Sequence, residues 1–182
     1  MKHLKKYNIF LEEAEFDVQT TDKADVKAAK EELSKLKNQL TDYKSKKPII
    51  DNLYLKAKTD EDIKTQINKI VGTDNKNPFL VDYLHVASLK RKVDNIQKDI
   101  ASDKLRKDDF NQELKLSNDS SIKQAVSAKI TDITNRISTK TAEIASLSKE
   151  ISDAQSSLDK KMISVEKNMM DNIKKISIKW WK

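Results

Sequence analysis

The chain has no cysteine, a single glycine, two prolines and few aromatic residues, and each shortage excludes something. Without cysteine there are no disulfides, thiolate metal sites or cysteine nucleophiles, which is consistent with a reducing compartment. One glycine, Gly72, cannot build a phosphate-cradling loop, and sheets with tight turns ordinarily need more of it. The two histidines, His3 and His85, have no second imidazole within a helical turn, so no metal pair is expected. His85 is expected to form a surface pair with Asp82. No apolar run approaches the roughly 18 residues that a bilayer span needs. The stretch after Lys2, Lys5 and Lys6 is interrupted and then meets Glu12 and Glu13, so a secretory signal is not expected either.

Carboxylates are plentiful but interleaved with basic residues, as where Asp108 and Asp109 follow Lys104, Arg106 and Lys107. Catalytic carboxylates need a concave apolar site that shifts their pKa, and no segment predicts one. The sequence therefore reads as a non-enzyme, with no catalytic, cofactor-binding or metal-ligating residue and no cofactor.

Helix-forming pattern is what the chain does have. Of its residues 37% are hydrophobic and 36% charged, too few apolar side chains for a wide core but enough for narrow helix seams. From Ile122 to Ile176 an apolar repeat runs without proline or glycine. Ile130, Ile137, Ile144, Ile151, Leu158 and Val165 fall seven apart, and Val126, Ile133, Leu147 and Ala154 fill most of the alternate positions. That period winds helices around one another, and the element would extend about 80 Å at roughly 1.5 Å per residue.

Earlier in the chain, Val26, Leu33 and Leu40 interleave with Ala29, Leu36 and Tyr43 in a second heptad segment. It is expected to end near Lys47, because Pro48 disfavours helix in the residue before it. Ile50, Leu53, Tyr54 and Ala57 permit one further stretch, and Ile63, Ile67, Ile70 and Val71 a short helix capped by Thr59-Asp60 and stopped at Gly72. A third long helix starts at Phe79 with Val86, Leu89, Val93, Ile96 and Ile100 in register. Its pattern is read as slipping at Asp103, like a stutter, and resuming with Leu105, Phe110 and Leu114. The string SNDSS then forms a hairpin turn, with Asn118, Asp119 and Ser120 as turn and cap residues.

The expected fold is all-α: a long antiparallel coiled-coil helical hairpin or bundle with a smaller helical cluster around Ile49 to Val71. Its parts are an amphipathic docking helix or leader at 1–16, helical segments with heptad seams at 23–116, a turn at 117–121, a long coiled-coil helix at 122–178 and a Trp-rich basic tail at 179–182. Seams within one chain and between copies use the same chemistry, so a homo-oligomer stays open. The short turn favours the intramolecular arrangement.

Function has to be argued from the two ends. The net charge of +7 is mostly the residue of finely mixed signs, but residues 167–182 hold five lysines against Asp171 alone. Within that tail Lys174, Lys175, Lys179 and Lys182 are candidate contacts for DNA or another anion, sequence-independent and salt-sensitive. Trp180 and Trp181, both of the chain's tryptophans, are candidates for packing on the protein's own bundle or for docking on a protein partner. A membrane is disfavoured, since one Trp pair with a few lysines is a weak anchor. At the other end Leu4, Tyr7, Phe10 and Leu11 form the amphipathic face of a short docking or packing helix.

The N-terminal string MKHLKKYNIFLEEAE resembles the capsid-targeting leader of internal head proteins and prohead-core components of T-even-type tailed phages. Such leaders run Met-Lys, an aromatic, an apolar pair, an acidic residue and a small residue, and Tyr7 and Phe10 stand where aromatics would be. A head-maturation protease of those phages cuts after Leu or Ile, any residue, then Glu; Leu11-Glu12-Glu13 before Ala14 matches. The resemblance covers about fourteen residues and implies cleavage between Glu13 and Ala14, capsid or other virion proteins as partners, and location in the virion after assembly in the host cytoplasm. Main prohead scaffolds of that group tend to be acidic, which sets this basic chain apart from them. The alternative is a coiled-coil adaptor that docks protein partners through both ends and binds no nucleic acid.

Overall fold

The computed structural model describes residues 24–57, 59–72 and 76–177. Among these residues the protein is all-α, with four helices and no strand: α1 (Ala24–Lys56), α2 (Asp60–Val71), α3 (Pro78–Leu116) and α4 (Ser120–Ser177). The described residues fall into two units. One combines those up to Tyr83 with those from Ser156 onward, and the other is Leu84–Gln155.

Each helix boundary has a local cause. Thr59 is extended and its hydroxyl accepts from the Asp62 amide at 3.2 Å, with Asp60, Glu61 and Asp62 in the first turn of α2. Gly72 stops that helix at φ 83° and ψ 154°, backbone that only glycine adopts without strain, while its amide donates to the Asn68 carbonyl. Helix α3 opens with Pro78 as its first residue, where a missing amide costs nothing, and the Asn77 side-chain oxygen caps the Phe79 amide at 3.1 Å. At the hairpin, Asp119 Oδ1 accepts from the Ser121 amide at 2.7 Å and the Ile122 amide at 3.4 Å. The loop is thus residues 117–119, two shorter than the expected turn, because Ser120 and Ser121 already belong to the first turn of α4.

Helix α1 does not end near Lys47. It continues through Pro48 to Lys56, so the stretch at Ile50 to Leu53 belongs to the same helix. Proline removes one hydrogen bond to the carbonyl four residues earlier, that of Lys44. Lys44 and Pro48 are both exposed, so the break in bonding falls on the outer face of the helix rather than in its packed face. Burial of Ile50 and Leu53 rewards continuation, and Lys47 reaches over the proline to Asp51 at 2.8 Å. Tyr83 holds both braces, donating its hydroxyl to Asp51 and lying under the Lys47 ammonium at 4.9 Å.

In the first unit α1 and the end of α4 run antiparallel. Val26, Ala29 and Leu33 pack on Met169, Ile173 and Ile176, with Leu36 and Val165 at the margin. Asn172, itself buried, donates to Glu32 at 3.0 Å. Further along α1, Tyr43 meets Phe79 and stands edge-on to Tyr83. Asn77 joins this layer to α1 by donating to the Gln39 carbonyl at 2.8 Å and to Asp42 at 2.9 Å. Burial pushes the Asp42 carboxyl up, but hydrogen bonds from Lys46 and Asn77 outweigh it, and its pKa lies below the usual value. Burial raises the Tyr43 hydroxyl above its ordinary range.

The second unit is an antiparallel helical hairpin. Its register is written in its cross-helix pairs: Phe110 meets Lys129, Asp103 meets Arg136 and Lys140, and His85 meets Glu150. The numbers climb on one arm as they fall on the other. His85 therefore faces Glu150 at 3.7 Å rather than Asp82, whose partner is Lys161.

Candidate functional site

The hairpin seam holds one buried carboxylate. Asp103 is 4% exposed; it accepts from Arg136 at 3.1 Å and from Lys140 at 2.9 Å. A second carboxylate, Asp99, stands 3.6 Å from Lys140. The hydrogen bond from Lys140 holds the Asp103 carboxyl below its usual range, against the opposing effect of burial, and the Arg136 charge adds to it.

This pair corrects the expected stutter. Val86, Leu89, Val93, Ile96 and Ile100 step by three and four, and the next step lands on Asp103, followed by Lys107, Phe110 and Leu114. The register does not slip; a charged residue occupies a seam position. Leu105, where the pattern was expected to resume, is 68% exposed. Sequence reasoning missed the pair although its signal was available. Helix α4 has a matching polar gap at Lys140, between Ile137 and Ile144, so both arms carry one charge of opposite sign where a seam residue belongs.

One turn towards the tip, a shallow depression of about 610 Å³ opens on the flank of the seam. Arg106 and Phe110 of α3 face Lys129, Asp132 and Arg136 of α4 across it, with Ala128 and Ile133 completing the floor. Lys129 lies over the Phe110 ring at 5.0 Å, and Arg136 reaches Asp132 at 3.9 Å while it holds Asp103.

At the opposite end of α4, Lys174 and Lys175 are exposed in the last turn, where cations also complement the helix dipole. Lys174 has Asp171 at 3.6 Å, which offsets part of its charge. Beneath them Ile173 and Ile176 pack against Val26 and Ala29, so the described chain begins and ends at the same end of this unit. The other predicted site residues lie outside the described residues: Leu4, Tyr7, Phe10 and Leu11, the cleavage residues Glu13 and Ala14, and Trp180, Trp181, Lys179 and Lys182.

Among the described residues no group of three or more His, Asp or Glu could hold a metal ion. No described helix is long and apolar enough to cross a membrane. No family model, curated protein or solved structure matches this chain.

Proposed function

We propose that the protein is a non-enzymatic structural component of a tailed-phage particle. In this reading it is an internal head protein that docks in the assembling capsid and contacts packaged DNA without sequence specificity. The observation that carries it is the leader: a Met-Lys amphipathic segment ending in Leu11-Glu12-Glu13 before Ala14. The helical architecture supports the reading in a general way, since seams and solvated charge suit a particle component more than they suit chemistry on a small substrate. The first unit adds a geometric argument. The first turns of α1, at Val26 and Ala29, pack with the last turns of α4, at Ile173 and Ile176, so these two helix ends lie together.

Intact-mass measurement on protein recovered from its native source tests this directly. Loss of Met1 to Glu13, leaving Ala14 first, is expected. An uncut chain makes the leader a docking or packing helix and moves the second reading ahead: a coiled-coil adaptor that docks proteins and leaves nucleic acid alone. That reading draws support from Asp171, which offsets Lys174 within the proposed anion contact. Mobility of random duplex DNA at low and moderate salt separates the two. The internal-head reading predicts retardation that fades steeply with salt, and the adaptor reading predicts none.

A further inference from the structure

We infer that the depression beside Phe110 is a docking site for an acidic amphipathic helix of a protein partner. This inference does not depend on the reading above, since it uses neither the leader nor the terminal lysines.

Charge is the first argument. Three cations line the depression against one carboxylate, Asp132, and Arg136 already reaches it. Neither Arg106 nor Lys129 ion-pairs with a described residue, although the Arg106 charge helps to lower the Asp103 pKa. Lys129 lies over the ring of Phe110 at 5.0 Å, which favours this position of the ammonium at the edge of the depression.

Shape is the second argument. Among the lining residues of α4, Ala128 contributes only a methyl, and the depression lies between two antiparallel helices. Such a hollow accepts side chains of a third helix spaced three and four apart. Its floor of Phe110, Ala128 and Ile133 suits leucine-sized groups, while Arg106 and Lys129 meet carboxylates on the flanks of the same helix.

The same facts weigh against two other occupants. Nucleic-acid phosphates would gain nothing from the apolar floor and would meet Asp132. A second copy docked two-fold on this patch would set cations against cations.

The test uses the full-length chain and a fluorescein-labelled designed helix of about 20 residues, roughly 30 Å long, with leucine on one stripe and glutamate on its flanks. Anisotropy should show saturable one-to-one binding. Arg106→Glu with Lys129→Glu should weaken it at least about tenfold, a change that salt mimics in the parent. Ala128→Leu, at an exposed position outside the seam, should weaken it without altering that salt dependence. Circular dichroism of each variant checks that the helices persist, and Arg106→Gln serves if the charge reversals disturb them. Absent saturable binding overturns the proposal. So does an Ala128→Leu variant that binds as the parent does while duplex DNA competes for the same cations, which would make the patch a phosphate contact. Sedimentation showing a dimer that the charge reversals disperse would assign it to a second copy instead.

Discussion

Leu158, Met169, Ile173 and Ile176 on α4 are all buried, as are Val126 and Ile133 near the hairpin tip, whereas Ile137, Ile144, Leu147 and Ile151 between them are only half-buried. The residue types and the spacing barely change between the two stretches. What changes is the surroundings. In the first unit the stripe meets α1 along Val26 to Leu33, and Lys161 reaches Asp82 in the first turns of α3. In the hairpin each seam residue has a single partner arm. Period therefore decides which residues enter a seam, while dryness is set locally. Extra packing against α1 dries the stripe from Leu158 on, and a single arm suffices at Val126 and Ile133 but not from Ile137 to Ile151.

Paired truncations are the strongest way to break that comparison. Leu33 is 0% exposed, and Leu33→Ala should cost about 2–5 kcal/mol because it leaves a cavity that several neighbours line. Leu147→Ala should cost roughly 1–2 kcal/mol, since part of that side chain already meets water. Urea denaturation of the two variants measures the difference. Equal costs would mean that the middle stretch of α4 around Leu147 is as dry as the first unit, and the comparison would fail.

Pro48→Ala should shift stability the other way, raising it by about 1–3 kcal/mol by restoring the helical bond to the Lys44 carbonyl. The same denaturation experiment reads it as a higher midpoint. A neutral result would mean that Lys47, Asp51 and Tyr83 already recover what the proline loses.

The buried charge sharpens the contrast through pH. The Asp103 pKa is depressed in the fold, so its contribution is complete at neutral pH and above the unfolded carboxylate value near about 4. It is lost as pH falls through the depressed folded value. Melting temperatures should therefore separate the parent from Asp103→Asn at pH 7 and draw together as pH falls below the unfolded carboxylate value of about 4. Asp119, lowered by hydrogen bonds from the Ser121 side chain and from the Ser121 and Ile122 amides, titrates in the same direction. The Asp103→Asn comparison isolates the seam carboxylate from it. Replacing both Asp103 and Lys140 with leucine should raise the melting temperature while relaxing the hairpin's register, because charge in a seam specifies alignment more than it stabilises.

Much of this architecture was legible in the sequence, for reasons particular residues show. The α4 stripe, the Thr59 cap, the Gly72 stop and the Asp119 turn are local signals, set by spacing or by one side chain's reach. The continuation of α1 through Pro48 was not legible, because it depends on Tyr83, more than thirty residues away, and on which face the proline occupies. The Asp103 pair was hidden for another reason. A charged residue in a seam looks like a break until its complement on the other arm is found, and that requires the register. The hollow beside Phe110 is further from sequence still, since it exists only where the register brings Arg106 and Phe110 of α3 together with Ala128, Lys129 and Ile133 of α4.

The register itself can be checked with the smallest effect of all. If the seam had slipped at Asp103 and resumed with Leu105, Leu105 would be a core residue and Leu105→Ser would cost a kcal/mol or more, on the order of one buried leucine. With Asp103 in the seam, Leu105 lies on the outer face of α3, 68% exposed. Leu105→Ser should then change stability by no more than about 0.5 kcal/mol. Phe110→Ala, at a true seam position, is the control that should register clearly. A measurable loss at Leu105 with none at Phe110 would restore the stutter, and Asp103 would become an ordinary surface carboxylate rather than the charge that aligns the two arms.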